Sequence, residues 1–208
     1  RLRVADLGCG GGDGLDTLRG TRRSGCRLAD RELWVLPDRS LARYVGLDIN
    51  GDLLEQARDR YGHDDRVSFV QTDLSGGLGL PTDDGVFDLY FSSFGTFSHF
   101  NDTQTLCLLQ DIVRRAPDGA LLVCDWLGRY AYEWQSLWRS DEDREHWMDY
   151  RISYIYPPEE RVKKRIDSFS LRLLAQQEVL RLARKTEQRT AAVLELCELF
   201  DRSMLVGR

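Results

Sequence analysis

The stretch RVADLGCGGGDG, residues 3–14, constrains this chain more than any other. A short apolar strand with Asp6 inside it runs into five glycines within seven positions, 8–14. Glycine loses more conformational freedom on folding than any other residue, so such a run needs a reason. Its placement supplies one. The run directly follows a buried-looking strand and directly precedes a helical pattern, DGLDTLRG, with Asp13 in the place of a cap. A helix N-terminus offers unpaired N–H groups and the positive end of a dipole. Glycine lets the backbone turn sharply there and lets a ligand lie against it.

Strand and helix patterns alternate along the rest of the first half. YVGLDIN (44–50) reads as a second strand and GDLLEQARDRYG after it as an amphipathic helix. VSFVQTDL (67–74) and FDLYFSSFG (87–95) read as strands three and four. TQTLCLLQDIVRRA (103–116) reads as a helix and GALLVCDWL (119–127) as a fifth strand. Such alternation predicts right-handed βαβ units and a mostly parallel sheet with helices on both faces. Residues 19–43 are Arg-rich and fit no clear element. Between 126 and 156 the composition changes to nine Trp and Tyr. MDYRISYIY alternates at strand period and IDSFSLRLL returns, which predicts an aromatic flap of two strands inserted at about 127–174. AQQEVLRLARK (175–185) is a helix. AAVLELCELF and SMLVGR read as a closing antiparallel hairpin.

The 208 residues fit a single domain, 1–208, with that flap as an insertion. The net charge of −5 disfavours general nucleic-acid binding, which needs clustered Lys and Arg. Arg161, Lys163, Lys164 and Arg165 are the one basic run, read as a solvated turn. No apolar run nears the ~20 residues of a membrane span. No secretory signal opens the sequence. The five cysteines have no CxxC spacing and the three histidines are scattered, so no metal is expected and a reducing cytoplasmic setting is.

A glycine-rich turn at a strand end faces the ligand crevice of an open α/β sheet, which makes an adenosine-containing ligand the expectation. The G-x-G-x-x-G of nicotinamide and flavin sites misses in both frames, since its sixth position falls on Asp13 or Leu15. The run reads instead as D-x-G-x-G-x-G, with Asp6, Gly8, Gly10 and Gly12. Here it resembles the first motif of the class I S-adenosylmethionine-dependent methyltransferases. The resemblance covers nearly the whole chain, because three further strand ends match in order. It implies a Rossmann-like, seven-stranded sheet of order 3-2-1-4-5-7-6 with strand 7 antiparallel, and S-adenosyl-L-methionine as cofactor. Folds of this kind carry a helix before the first strand, so the natural chain is expected to extend ahead of residue 1.

The same resemblance distributes roles. The loop Gly8, Cys9, Gly10 and Gly12 would cradle the cofactor, and Asp6 would hold its ammonium, the alternative being an acid capping its own turn. Asp48 would accept from the ribose hydroxyls and Ile49 would pack on the adenine. Asp73, with Leu74 alongside, would meet the adenine amine. Ser92 and Ser93 end the fourth strand, Ser92 toward the cofactor and Ser93 toward the substrate. His99, in GTFSHF, is similar in place to a segment of small-molecule methyltransferases of the glycine N-methyltransferase sort. It is the candidate base, with a packed or capping histidine as the alternative. Trp126 at the end of strand five, and Tyr130, Arg151 and Tyr154 in the flap, are the candidate substrate contacts. Dimerisation through those aromatics is the competing use.

Methyl transfer from a sulfonium needs alignment and exclusion of water more than a fixed catalytic triad. The expected reaction moves a methyl from S-adenosylmethionine to an N, O or C atom of a small molecule. An RNA methyltransferase using the basic run near residue 163, a non-catalytic S-adenosylmethionine-binding partner protein, and a nicotinamide oxidoreductase, disfavoured by the glycine frame, are the other three readings.

Overall fold

The computed structural model describes residues 1–21, 36–81, 86–131, 134–135, 138, 145–151 and 168–200. Strands β1 (Leu2–Leu7), β2 (Leu41–Asp48), β3 (Val67–Gln71), β4 (Leu89–Phe91) and β5 (Leu121–Val123) form one sheet. Its order is β3-β2-β1-β4-β5, and every pairing is parallel. The centre is therefore β1, and all five strands carry their carboxyl ends to one edge.

Helix α1 (Asp13–Gly20) and helix α2 (Gly51–Tyr61) cover one face. In α2, Leu54, Ala57 and Tyr61 recur at helical spacing and are buried against Val4, Tyr44 and Phe69. Helix α3 (Asp102–Arg115) covers the other face, where Leu108 and Ile112 meet Ala5, Leu7, Val45, Leu47 and Tyr90. The caps are written in the sequence. Asn50 Oδ1 accepts from the N–H groups of Asp52 and Leu53 at 3.0 and 3.2 Å. Asn101 and Gln104 exchange reciprocal 2.9 Å bonds at the start of α3.

Among the described residues the expected seven-stranded sheet shows five strands, with a three-stranded sheet beside it. That second sheet comprises β6 (Leu127–Gly128), β7 (His146–Arg151) and β8 (Ser168–Leu174), in the order β6-β8-β7. The aromatic flap is there as predicted, with β7 and β8 antiparallel from His146↔Leu173 to Arg151↔Ser168. Helix α4 (Gln176–Thr190) follows. The expected closing hairpin does not form over 191–200, which make no ladder, and its second limb lies outside the described residues. Alternation in VLELCELF would put Glu195 on one face and Glu198 on the other, so neither face could be buried as a strand. The edge of β5 consequently stays open among the described residues, with Leu121 and Val123 half exposed.

One buried cation ties the second sheet to the first. Arg172 of β8 is 0% exposed. It contacts Asp102 at the start of α3, Glu178 in the first turn of α4 at 3.4 Å and Glu145 at 3.9 Å. Glu145 also accepts the backbone N–H of Asp102 at 3.0 Å, and Glu178 that of Ala175 at 2.7 Å. Removing the arginine strands three carboxylates around an apolar space. Arg172→Met is expected to cost about 3–5 kcal/mol. That corresponds to a Tm lower by roughly 10 °C in a chain of this size, measured by calorimetry. An unchanged Tm would show that the acids are hydrated and the arginine dispensable.

Candidate functional site

The glycine loop is stitched to the tip of β2. The N–H groups of Gly8 and Cys9 both donate to the Leu47 carbonyl, at 2.7 and 3.0 Å. The next N–H, Gly10, donates to Asp48 Oδ2 at 2.8 Å. Asp48 Oδ1 accepts from the N–H of Asn50 at 2.8 Å, which sets the acid at the turn into α2. The path needs left-handed backbone at Gly8, Gly10 and Gly12, with φ of +76°, +50° and +88°. A side chain on Gly8 would meet Thr96 Oγ1 at 2.3 Å, and one on Gly12 would meet the Tyr61 ring at 2.6 Å. Around Gly10 and Gly11 the outer side is open, with only Leu53 Cδ1 reaching 3.9 Å from Gly10. The loop is thus packed from beneath and bare above.

The cap of α1 is Gly12 and not Asp13, and no side chain bonds the N-terminal N–H groups. Asp13 turns instead to Arg60 on α2, at 2.8 Å, and Asp16 meets the same guanidinium. The negative charge expected at the helix start is therefore paired off.

Asp6 lies under the loop. It is 1% exposed, accepts the Tyr44 hydroxyl, and its Oδ2 occupies the space that a side chain on Gly14 would take. Asp6 so placed supports the turn from below. Tyr44 reaches Asp6 because the next residue on its face is Gly46, whose missing side chain leaves room for Cys9 and Phe69. Cys9 follows the same logic: its thiol is buried, burial pushes its pKa up, and only its backbone belongs to the loop.

The other predicted residues divide between the rim and the core. Ile49 is 65% exposed at the tip of β2. Asp73, exposed beyond β3, accepts the Ser75 N–H at 2.9 Å, and that bond lowers its pKa. Ser93 and His99 lie on the segment after β4, which Thr96 fastens to Gly8. His99 is exposed at the end of the short 3-10 turn Thr96–His99, its ring 5.2 Å from Phe169 of β8. Partial burial lowers its pKa below 6.5, while Asp48 acts the other way.

Four further expected residues have the following surroundings. The Leu74 side chain is buried in the α3-side core. Ser92 is buried and spends its hydroxyl on the Leu7 carbonyl at 2.8 Å. Trp126 packs edge-on against Phe97 at 5.1 Å, bridging that core to α4. Leu74 and Ser92 thus point into the core, while Trp126 is only partly buried and its indole N–H has no hydrogen-bond partner among the described residues. The fourth is Tyr130, which is exposed with the Arg129 guanidinium over its ring at 5.3 Å, a pairing that sequence did not suggest. Arg151 closes β7 opposite Ser168. Tyr154 and the basic run 161–165 lie outside the described residues. Sequence reasoning missed Tyr44, Thr96 and Phe169. Only the empty positions Gly46 and Gly8 pointed toward the first two.

Burial pushes the Asp6 carboxyl up to about 7, against the lowering effect of the Tyr44 hydrogen bond and with a smaller push from Asp48. A folded-state value above the ordinary 3.8 means that the native protein holds this proton more tightly than the unfolded chain. The stabilisation is complete below the unfolded value and is lost as pH rises through about 7. Relative to Asp6→Asn, the wild-type Tm is expected to fall between about pH 5 and about pH 8. Parallel melting curves across that range would place the carboxylate in solvent.

With this geometry in hand, the chain was compared with known proteins. A family model described as a methyltransferase domain matches residues 32–119, which run from before β2 to the turn before β5. The glycine loop precedes that match. A demethylmenaquinone methyltransferase of Clavibacter sepedonicus is 32% identical over 112 residues, 54% of this chain and 40% of that protein. The chain thus spans well under half the length of that curated relative. Among solved structures, the glycopeptide N-methyltransferase MtfA complexed with S-adenosyl-L-methionine superposes with a TM-score of 0.57 at 19% identity, over 88% of this chain and 70% of that one. A S-adenosylmethionine-dependent methyltransferase from Clostridium acetobutylicum ATCC 824 gives 0.57 at 12% identity, over 89% and 72%. At these identities the structures speak for the fold. Strand order and these superpositions give the chain the Rossmann-like fold of S-adenosylmethionine-dependent methyltransferases, and residues 32–119 are similar to a methyltransferase domain.

Proposed function

We propose that this chain binds S-adenosylmethionine on its glycine loop and transfers the methyl group to a small-molecule acceptor. The observation that carries the reading is the bare outer side of Gly10 and Gly11 beside an Asp48 carboxylate fixed by two backbone N–H groups. Each oxygen of that carboxylate keeps a lone pair for a further donor. Two adjacent ribose hydroxyls match such an acceptor pair. Ile49, exposed one residue on, offers an apolar face to the adenine, and Asp73 an acceptor at the next strand tip. The residues present therefore fit the cofactor. When bound, it supplies a methyl already activated by a positive sulfur.

The chain's own groups have simpler tasks. The loop N–H groups and Asp48 orient, and the flap sheet sheds water from the reacting side. His99, its pKa lowered by partial burial, is our candidate to take a proton from an acceptor. The support for a small acceptor is the acidic balance of the chain, the aromatic flap, and relatives named for demethylmenaquinone and glycopeptide.

Thermal unfolding with saturating S-adenosylmethionine, S-adenosylhomocysteine or NAD tests the first half of the reading. The two sulfur nucleotides are expected to raise the Tm and NAD to leave it unchanged. Asp48→Ala should weaken S-adenosylhomocysteine about 100-fold, as expected for two lost hydrogen bonds to a charged acceptor. A shift with NAD alone would move the chain to nicotinamide chemistry. Binding without transfer to any acceptor would leave a cofactor-binding partner protein.

The second half is read from the pH profile. With a protonated acceptor, kcat/KM should rise through a pKa below the usual histidine value, and His99→Gln should remove that limb with a loss of about 100-fold or more. Retention of the limb in His99→Gln would assign the base elsewhere.

A further inference from the structure

Phe94 sits at the tip of β4 in a conformation that phenylalanine avoids. Its φ is +62°, and its side chain is 81% exposed. The other non-glycine residue with positive φ among those described is Ala191, which merely ends α4. A left-handed bulky residue stores backbone strain, and an exposed ring forgoes burial. Neither cost returns anything to the fold.

The surroundings hold that strain in place. Gly95 N–H donates to Asp125 Oδ1 at 2.9 Å. Thr96 Oγ1 donates to the Ser93 carbonyl at 3.3 Å, and Ser98 N–H to the Gly95 carbonyl at 2.9 Å. Ser98 Oγ accepts the Leu127 N–H at 2.8 Å. Thr96 itself fills the notch at Gly8. Loop 93–99 is therefore clamped to the glycine loop on one side and to β6 on the other, with Phe94 near its start and His99 at its end. From His99 an aromatic ledge continues through Phe169, at 5.2 Å, to Tyr150, at 5.8 Å from Phe169.

Resting on the functional reading above, we propose that Phe94 is the specificity-determining residue of the acceptor site, and that the acceptor is a planar aromatic ring bearing a hydroxyl. The ring packs on the exposed face of Phe94. The hydroxyl meets His99 at the start of the ledge, where a ring nitrogen accepts its hydrogen. Aromatic stacking rewards planarity, so a saturated ring of the same outline binds more weakly.

The probes are 2-naphthol and its saturated counterpart decahydro-2-naphthol, titrated calorimetrically with and without S-adenosylhomocysteine. Both carry the hydroxyl, and only the first is planar. Wild type is expected to bind 2-naphthol at least ~10-fold more tightly. Phe94→Gly is expected to lose that preference while its Tm holds or rises, because glycine adopts the left-handed backbone freely. A purely structural phenylalanine would show the opposite, a lower Tm with binding retained. Equal binding of the two probes, an unchanged naphthol affinity in Phe94→Gly, or no naphthol binding to wild type overturns the proposal. S-adenosylhomocysteine titrated into the same two proteins keeps the readings apart. Its failure to bind wild type rejects the cofactor assignment, while the naphthol comparison still decides the role of Phe94.

Discussion

The carbonyl of Leu47 accepts two consecutive N–H groups from the loop that follows β1. Most of what the site is follows from that double acceptance. It brings the glycine turn against the tip of the neighbouring strand. It puts the third N–H within 2.8 Å of Asp48, and so converts a surface acid into a fixed acceptor. It also goes with a turn that is left-handed at the alternate positions Gly8, Gly10 and Gly12, which only glycine does at low cost. A loop held this way presents its outer face without any side chain in front of it.

Beneath the same loop lies a second constraint, the buried Asp6 with the Tyr44 hydroxyl. An acid in the core of a sheet is expensive unless it is satisfied or protonated. Here it is partly both. The protein spends polar capacity under the turn so that the turn can be bare above. Stability and ligand geometry are therefore coupled through one carboxyl that never reaches the crevice.

Much of this was legible in the sequence, for identifiable reasons. The five parallel strands were found because each is a short apolar run, the first, second and fourth with a helical pattern after them. The flap was found because Tyr150 and its neighbours alternate. The failures have physical causes too. Residues 191–200 are apolar enough to suggest a strand, but Glu195 and Glu198 fall on opposite faces of any strand drawn there. Asp6 and Ser92 were placed in the crevice because a motif fixes position along the chain. It does not fix which way a side chain turns. Whether that turn goes into the core or out of it depended on Tyr44, Gly14 and the Leu7 carbonyl, which are distant in sequence or carry no signal. Phe94 was invisible for a related reason, since backbone strain leaves no trace in composition.

The topology also has a consequence in time. Strand β1 is the centre of the sheet and comes first in the sequence, yet its partners start at residue 41 on one side and at residue 89 on the other. Val4, Ala5 and Leu7, all fully buried in the end, have no sheet neighbours until those segments exist. Closing such long intervals is slow, because the entropy of closure is lost before the contacts form. During synthesis this central strand therefore waits for a neighbour on one side until residue 41 and on the other until residue 89. The glycine loop cannot take up its final curvature earlier than β2, because the carbonyl that shapes it belongs to Leu47. The ligand crevice is a late product of folding, although its leading motif is made before the strands that shape it.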